Sequence, residues 1–495
     1  MRFHSGQGIF RVRQRRKRAQ GDRLNGTMFD SIVRCPGVKY PMIPSVRFLG
    51  RLFVHLVAIV GALGLGGVAA AASSDARPPN LLVLLADDMG YGDVGYHGCR
   101  DIPTPNIDAL AARGVRFTDA YASAPVCSPS RAGFLTGRYQ EKFGHEFNPR
   151  REQGLPLSEK LISDRLRAAG YVTGLVGKWH LGSMPAQRPL SRGFDEFFGF
   201  LEGHSVYFDA TVYRGTEEVK EPEYLTDAFA REAVSFVERH RGIPWFLFLS
   251  FNAVHDPMQG TQDRLARFRN IENGQRRIYA AMTVAMDEAI GRVLRALEKS
   301  GQAENTLVVF ANDNGGPTLP GTTQNASSNA PLRGSKRTLL EGGIRVPLVL
   351  AWPGHLKSAS YSSPVMLTDV TATLLKAAGV PSPGPDLADG VDLVPFIRGQ
   401  RKEVPHPVLF WRSGGQAAIR KGDFKLVRYD SNADTRLGPN QPPTEFKLYD
   451  LKNDIGETHD LIREQPERAA ALEAEWEAWD RTLAQPLWRN SRDRN

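Results

Sequence analysis

The stretch Leu-Leu-Val-Leu-Leu-Ala at residues 81–86, followed at once by Asp87 and Asp88, indicates how this chain folds. A run of six apolar residues has the length of a strand that is buried on both faces. Further runs of this kind lie at residues 172–176, 245–251, 306–311 and 346–352. Amphipathic helices are predicted among them, over residues 104–113, 158–169, 226–241 and 276–300. This alternation predicts an α/β fold, with a large, mostly parallel or mixed sheet sandwiched by helices.

The pattern changes near residue 400, where short strands joined by turns replace the long alternation. The predicted strands cover residues 406–411, 416–420, 424–429 and 446–450, and a helix is predicted over residues 464–483. The polar stretch between the last two strands, residues 430–443, is predicted to be a loop. We therefore expect a main domain over residues 78–400 and a C-terminal subdomain over residues 401–495, made of a small antiparallel sheet and a helix.

The N-terminal 72 residues differ in charge from the rest of the chain. They hold twelve of the 63 Lys and Arg residues and two of the 54 acidic residues, which leaves 51 basic and 52 acidic residues beyond them. That near-neutral balance argues against a nucleic-acid partner. The basic start, the apolar run at 52–65 and the Ala-rich end at 69–72 predict a signal peptide cleaved near Ala72. An uncleaved N-terminal anchor is the alternative; cleavage predicts a periplasmic or secreted protein without stable membrane insertion.

Polar side chains follow the ends of four predicted strands. Asp87 and Asp88 come after the first, and the other strand ends carry further polar residues: Lys178 and His180, His255, and Asp313 and Asn314. Open α/β sheets bind ligands at the carboxyl ends of their strands. Each of these residues taken alone is equally explained as a helix cap or a turn residue. Their joint occurrence favours a functional site.

The residue types at these strand ends indicate the chemistry. Four of them offer only hard oxygen ligands, which suit calcium or magnesium rather than zinc: Asp87, Asp88, Asp313 and Asn314. The lysine and the two histidines suit an anionic substrate and proton transfer. Together these residues predict hydrolysis of a phosphate or sulfate ester.

The segment Cys-Ser-Pro-Ser-Arg at residues 127–131, followed by Ala-x-x-x-Thr-Gly-Arg, decides between the two esters. It resembles the signature of the type I, formylglycine-dependent sulfatases of the alkaline-phosphatase superfamily. Blocks in the same order as in that family support the resemblance, which extends over residues 78–483: residues 80–93, 104–118, 174–182, 312–316 and 332–347. The resemblance implies an alkaline-phosphatase-like fold and assigns residues 78–400 as the catalytic domain.

The resemblance also implies a nucleophile and a metal. A formylglycine-generating maturation enzyme would oxidise Cys127 to Cα-formylglycine, whose hydrate attacks the sulfate monoester and passes through a covalent sulfoenzyme. Covalent catalysis of this kind divides one difficult step into two easier ones. One calcium ion, or magnesium in its place, would be bound by residue 127 together with the four oxygen ligands, Asp87, Asp88, Asp313 and Asn314.

The remaining roles that the resemblance implies belong to cationic and imidazole side chains. Arg131 and Lys178 would hold the hydrate, and His180 would be the base that triggers sulfate release. His255 and Lys336 would grip the sulfate and protonate the leaving alcohol. His204 falls where the family places side chains that select the substrate. The predicted substrate-binding set is therefore Lys178, His204, His255 and Lys336.

Three functions follow from these residues. The first is hydrolysis of sulfate monoesters, with a sulfated carbohydrate as the expected substrate and an aryl sulfate as the second choice. The alternative is a phosphate or phosphonate ester hydrolase of the same superfamily, which can share the metal site. The third is a non-catalytic carbohydrate-binding protein, which the complete set of site residues argues against.

Overall fold

A computed structural model describes residues 77–381, 389–438 and 441–489 of the chain. The predicted leader, residues 1–72, lies outside the described residues, so the signal peptide stays a prediction. Among the described residues, no helix combines the length and the apolar character needed to cross a membrane.

The strands of the described residues fall into three sheets. They are β1 (Asn80–Ala86), β2 (Val115–Phe117), β3 (Ala120–Tyr121), β4 (Val172–Lys178), β5 (Glu196–Phe200), β6 (Ala210–Arg214), β7 (Glu217–Glu221), β8 (Trp245–Ser250), β9 (Thr306–Asn312), β10 (Leu348–Ala351), β11 (Ala359–Tyr361), β12 (Val365–Met366), β13 (Val408–Ser413), β14 (Gln416–Lys421), β15 (Phe424–Arg428) and β16 (Lys447–Asp450).

The helices lie between these strands and after them. They are α1 (Pro105–Arg113), α2 (Cys127–Thr136), α3 (Ile162–Ala168), α4 (Leu225–Arg239), α5 (Gln262–Ala266), α6 (Gly274–Lys299), α7 (Glu341–Ile344), α8 (Leu367–Ala377), α9 (Val394–Ile397), α10 (Asn432–Thr435) and α11 (Pro466–Asp480). Short 3-10 helices cover Tyr91–Asp93, Gly95–His97, Gln140–Phe143, Pro185–Gln187, Pro189–Ser191 and Ala303–Asn305.

The main sheet has ten strands in the order β11-β2-β10-β9-β1-β8-β4-β5-β6-β7. Its centre, from β9 to β5, is parallel, and this confirms the predicted sheet. The flanks contain antiparallel pairs: β10 runs against both β9 and β2, and β6 and β7 form a hairpin beside β5. The edge strand β11 pairs with β2 in parallel. A run of buried apolar residues does not encode the direction of its strand, and so the orientation of β10 was not predictable from its sequence.

Helices cover both faces of the main sheet. Alternate residues of β1 pack on opposite faces of the sheet. Leu82 and Leu84 belong to the core that includes α1, α4 and α6. Val83 and Leu85 belong to the core that includes α2, α3 and α8. Burial on both faces explains why β1 is apolar throughout. The chain therefore forms the predicted sandwich of helices around a mixed sheet.

Two local differences from the predicted helices have physical causes. The helix expected from Ser158 begins at Ile162, because the Asp164 side chain accepts the Leu161 N–H at 3.0 Å and caps the helix there. Helix α2 was not predicted, since all ten of its residues are buried and it has no polar face.

The C-terminal sheet is an antiparallel meander of β13, β14, β15 and β16, as predicted. One face packs against α11 through Trp476, and the other contacts the main body through Trp411. The buried Lys425 Nζ lies 2.8 Å from a Glu341 carboxylate oxygen and 2.9 Å from one of Glu457. The short helix α10 lies inside the stretch 430–443, which had been predicted to be a loop.

Candidate active site

The carboxyl ends of β9, β1, β8 and β4 bring the predicted polar residues together. The loops after these strands are joined by backbone hydrogen bonds. The Asp87 N–H donates to the Ala253 carbonyl at 3.0 Å, and the Val254 N–H donates back to the Asp87 carbonyl at 2.8 Å. The Asp313 N–H donates to the Ala86 carbonyl at 3.2 Å. These bonds fix the strand ends that carry the carboxylates.

Three fully buried carboxylates form the centre of the site, and each is paired with a buried cation. Lys178 Nζ lies 2.6 Å from Asp87 Oδ2, and Lys336 Nζ lies 2.6 Å from Asp88 Oδ2. Arg131 Nη2 lies 2.8 Å from Asp313 Oδ2. A buried carboxylate without such a partner is strongly destabilising. The three acidic residues therefore determine where the three cations must lie.

Cys127 is the first residue of α2 and lies directly against this cluster. Its Sγ is 3.6 Å from Asp87 Oδ1 and 4.0 Å from Asp88 Oδ1. Burial by itself raises the pKa of the Cys127 thiol, but the charges of Lys178 and Lys336 outweigh it and lower that pKa to about 7. The position combines a buried side chain with nearby positive charge, which favours an anion there.

Arg131 connects the helix of Cys127 to three strand ends. It lies one turn after Cys127 on α2, so the two side chains share a face of the helix. Its Nε donates to Asp313 Oδ2 at 2.9 Å, after β9. Its Nη1 donates to Ser250 Oγ at 2.6 Å, at the end of β8, and to the Lys178 carbonyl at 3.3 Å, at the end of β4.

His255 and Lys336 lie side by side on Asp88. His255 Nε2 is 3.5 Å from Asp88 Oδ2 and 3.4 Å from Lys336 Nζ, and its Nδ1 is 2.8 Å from the Asp256 carbonyl oxygen. Burial and Lys336 lower the pKa of His255, yet Asp87 and Asp88 outweigh them and raise it to about 10. In the metal-free site these two carboxylates therefore favour the protonated form of the His255 imidazole.

His180 is also buried, but its pKa is shifted in the opposite direction to that of His255. Burial, together with the charges of Lys178 and Arg131, holds the pKa of His180 well below its usual range, so the ring is neutral. The residue has a left-handed backbone with φ of 62°, a strained conformation that is common at functional sites. Gly203 lies against the ring: a Cβ at Gly203 would be 2.7 Å from His180 Nε2. His204, the next residue, is exposed at the surface.

The buried oxygen atoms of this centre fit a hard metal ion. Ligand atoms of Asp87, Asp88, Cys127 and His255 all lie within 4.8 Å of one another. Asn314 Nδ2 donates to Asp88 Oδ1 at 2.7 Å, whereas the buried Asn314 Oδ1 has no hydrogen-bond partner among the described residues. An unpaired buried oxygen beside carboxylates is a suitable ligand for a cation. This group of residues could therefore hold a metal ion.

Several side chains that support the site were not found by sequence reasoning. Ser250 accepts the hydrogen bond from Arg131, and Asn325 Nδ2 donates to the carbonyls of Asp88 at 3.0 Å and of Val254 at 2.9 Å. Ser128 Oγ donates to the His180 carbonyl at 2.6 Å and lies 2.8 Å from His145 Nε2. These residues bind backbone or other side chains. Ser250 ends β8 and Ser128 lies within the segment 127–131, and those positions were the only sequence signals for them.

Comparison with known proteins assigns this arrangement to a family. Residues 79–380 match the sequence model of the family described as Sulfatase. Residues 334–478 match the model described as N-sulphoglucosamine sulphohydrolase, C-terminal. The chain belongs to the sulfatase family. It is a sulfuric ester hydrolase, and this confirms the family and the reaction class that the segment at Cys127 predicted.

Individual relatives agree with this assignment. The chain is 36% identical over 384 residues to human N-acetylgalactosamine-6-sulfatase, covering 72% of each chain. It is 33% identical over 444 residues to human arylsulfatase A, covering 79% of this chain and 85% of the relative. Among solved structures, Ps i-CgsB superimposes with a TM-score of 0.76 at 36% identity, covering 83% of this chain and 95% of that one.

The ion pair between Lys178 and Asp87 leads to a stability prediction. In metal-free protein, Lys178→Met leaves the buried Asp87 carboxylate without its closest cation, and we expect the free energy of unfolding to fall by about 3–5 kcal/mol. The matched control is Lys421→Met, which breaks the exposed pair with Glu475 and should cost at most about 1 kcal/mol. Urea unfolding in a chelating buffer measures both; equal losses would contradict the importance of the buried pair.

Proposed function

We propose that this sulfatase removes sulfate from sulfated carbohydrates, with aryl sulfates as a second substrate class. The observation that carries the proposal is the buried Cys127 at the start of α2, placed against Asp87 and Asp88 with Lys178 and Lys336 close by. The related Ps i-CgsB has also been solved in complex with k-i-k-neocarrahexaose, a carbohydrate. The related human N-acetylgalactosamine-6-sulfatase is likewise named after a sugar.

We further propose that a formylglycine-generating maturation enzyme oxidises Cys127 to Cα-formylglycine. The hydrate of that aldehyde supplies two hydroxyl groups, one to attack sulfur and one to expel sulfate as the aldehyde re-forms. Lys178 and Arg131 both lie near Asp87, the carboxylate beside residue 127. Lys178 Nζ is 2.6 Å and Arg131 Nη2 is 3.8 Å from Asp87 Oδ2. Their positive charges orient and stabilise the hydrate and the negative charge that develops on the sulfuryl oxygens.

The two histidines take different roles in this proposal. His255 lies beside Lys336, and its pKa is raised in the metal-free site, so the pair is suited to bind the sulfate group and to pass a proton to the leaving alcohol. His180 is neutral, so its imidazole is available to accept the proton of the remaining hydroxyl group when sulfate is released. Opposite protonation states at one pH allow one acid and one base to act in sequence.

The metal is proposed to be calcium, one ion per chain, with magnesium as a possible substitute. Asp87, Asp88, Asp313 and Asn314 would hold it, together with an oxygen of residue 127. These four side chains are fully buried and offer only oxygen or amide ligands. The carboxylates are already matched by three cations, so a bound dication leaves the site positively charged and attracts an anionic ester.

The substrate-recognition and localisation predictions also remain proposals. Lys178, His255 and Lys336 bind the sulfate group, and His204 contacts the sugar, since it is exposed one residue from Gly203, which packs on His180. The basic and apolar leader within residues 1–72 directs export to the periplasm or the medium, with cleavage near Ala72 and no stable membrane insertion afterwards.

Maturation and activity can be tested together. Protein made with a formylglycine-generating enzyme should carry an aldehyde at residue 127, detected by peptide mass spectrometry, and should hydrolyse 4-nitrophenyl sulfate and sulfated sugars. Cys127→Ala should fold and bind metal but have no activity. Parallel assays with an aryl phosphate and a phosphonate diester test the alternative function. Full activity with an unmodified thiol, or a preference for the phosphorus esters, would contradict the proposal.

The metal proposal predicts a linked loss of calcium and activity. Prolonged chelation should remove both, and added calcium should restore both more fully than added magnesium. Asn314→Ala removes one oxygen ligand and should weaken calcium binding at least about tenfold, measured by isothermal titration. Asn305→Ala is the control, because its side chain contacts Pro78 at the opposite end of β9. Unchanged activity in protein shown by elemental analysis to lack metal is the contrary result.

The proposed role of His180 predicts burst kinetics. With matured His180→Ala and 4-nitrophenyl sulfate, we expect about one equivalent of phenol per active site and then a stall, because sulfate release needs the base. Mass spectrometry should find the sulfuryl group on residue 127. The control, His240→Ala, loses a histidine paired with Glu196 far from the site and should turn over steadily. A folded, matured His180→Ala without a burst or an adduct rules out this role.

A further inference from the structure

The segment that carries Lys336 contacts both the nucleophile side of the site and the C-terminal sheet. The Lys336 N–H donates to the Gly316 carbonyl at 3.1 Å. The next residue, Arg337, donates its N–H to the Pro125 carbonyl at 2.8 Å, two residues before Cys127. Arg337 has a left-handed backbone with φ of 79°, which is unfavourable for a residue other than glycine. Its neighbours must therefore hold this conformation in place.

Gln416, the first residue of β14, supplies part of that restraint from the C-terminal sheet. Its Nε2 donates to the Arg337 carbonyl at 2.8 Å. Its Oε1 accepts the N–H of Leu339 at 3.2 Å and the N–H of Asp430 at 3.1 Å. The amide thus binds the backbone on both sides of Thr338 and is itself oriented by its own sheet. One side chain links the C-terminal sheet to the residue next to Lys336.

We propose that Gln416 is a positioning residue that holds Lys336 in register with His255 for its action on the leaving group. If the backbone at Arg337 relaxes, the Lys336 side chain moves relative to Asp88 and His255, from which Nζ lies 2.6 Å and 3.4 Å away. Catalytic groups displaced by about 1 Å lose much of their effect. The C-terminal sheet therefore completes the active site without supplying a side chain that touches the substrate.

This inference rests on the proposed role of Lys336 in protonating the leaving alcohol. That role gives a signature which loss of stability does not produce. A good leaving group needs little protonation, whereas a poor one depends on it. A misplaced Lys336 therefore slows poor leaving groups selectively, while a smaller folded fraction slows every substrate by the same factor.

The test uses the full-length matured enzyme and a series of aryl sulfates whose phenols span a wide range of pKa values. Gln416→Glu keeps the size and the accepting oxygen of the side chain but replaces the donor that binds the Arg337 carbonyl. We expect kcat/KM to fall at least about tenfold for the poorest leaving group and less than about threefold for the best. For Gln416→Ala, we expect kcat/KM to depend on the pKa of the leaving phenol at least as steeply.

Two further variants make the result decisive. Trp476→Phe removes a hydrogen bond to the Trp411 carbonyl on the α11 side of the same sheet. In this variant the dependence of kcat/KM on the leaving-group pKa should match that of the wild type. Lys336→Met removes the ammonium group itself and therefore gives the largest leaving-group dependence that misplacing Lys336 could produce. A steep dependence for Lys336→Met with a wild-type dependence for Gln416→Glu overturns the positioning role alone. A wild-type dependence for Lys336→Met overturns both the proposed role of Lys336 and the inference built on it.

Discussion

Three carboxylates are buried where two neighbouring parallel strands end: those of Asp87, Asp88 and Asp313. Their charge must be neutralised inside the protein, and the arrangement of the surrounding elements follows from that requirement. The cations come from three separate elements: α2 supplies Arg131, β4 supplies Lys178, and the segment before α7 supplies Lys336. Each element is thereby fixed relative to the strand ends. Charge pairing thus determines the geometry in which the buried residue 127 meets a cluster of positive groups.

The same distribution of charge gives two identical side chains opposite properties. His255 lies beside Asp88, and in the metal-free site the carboxylates raise the pKa of His255 despite its burial. His180 follows Lys178 and lies near Arg131, so burial and positive charge act together to keep it neutral. Two imidazole side chains of one site can therefore differ in protonation at the same pH. The charges around each histidine, rather than the imidazole itself, set the direction of its pKa shift.

The sequence predicted those features that depend on burial and on strand ends. The apolar runs marked the central strands, and the residues after them marked the site, because the carboxyl ends of parallel strands meet at one edge. Features set by tertiary contacts were missed: α2 has no polar face, and β10 could equally have been parallel. Supporting residues such as Gln416 and Ser250 were missed because they bind backbone or side chains brought close only by folding.

Buried contacts join the C-terminal sheet to the segment of the main body that follows Lys336. Glu341 begins α7, five residues after Lys336, and its carboxylate meets Lys425 of β15 with no exposure to solvent. The Glu341 N–H also donates to a Glu457 carboxylate oxygen at 2.7 Å. Buried ion pairs add little net stability compared with apolar packing, but an unmatched arrangement is strongly disfavoured. A docking of the sheet that separates Lys425 from Glu341 and Glu457 is therefore disfavoured, and the observed docking places Gln416 against the backbone next to Lys336.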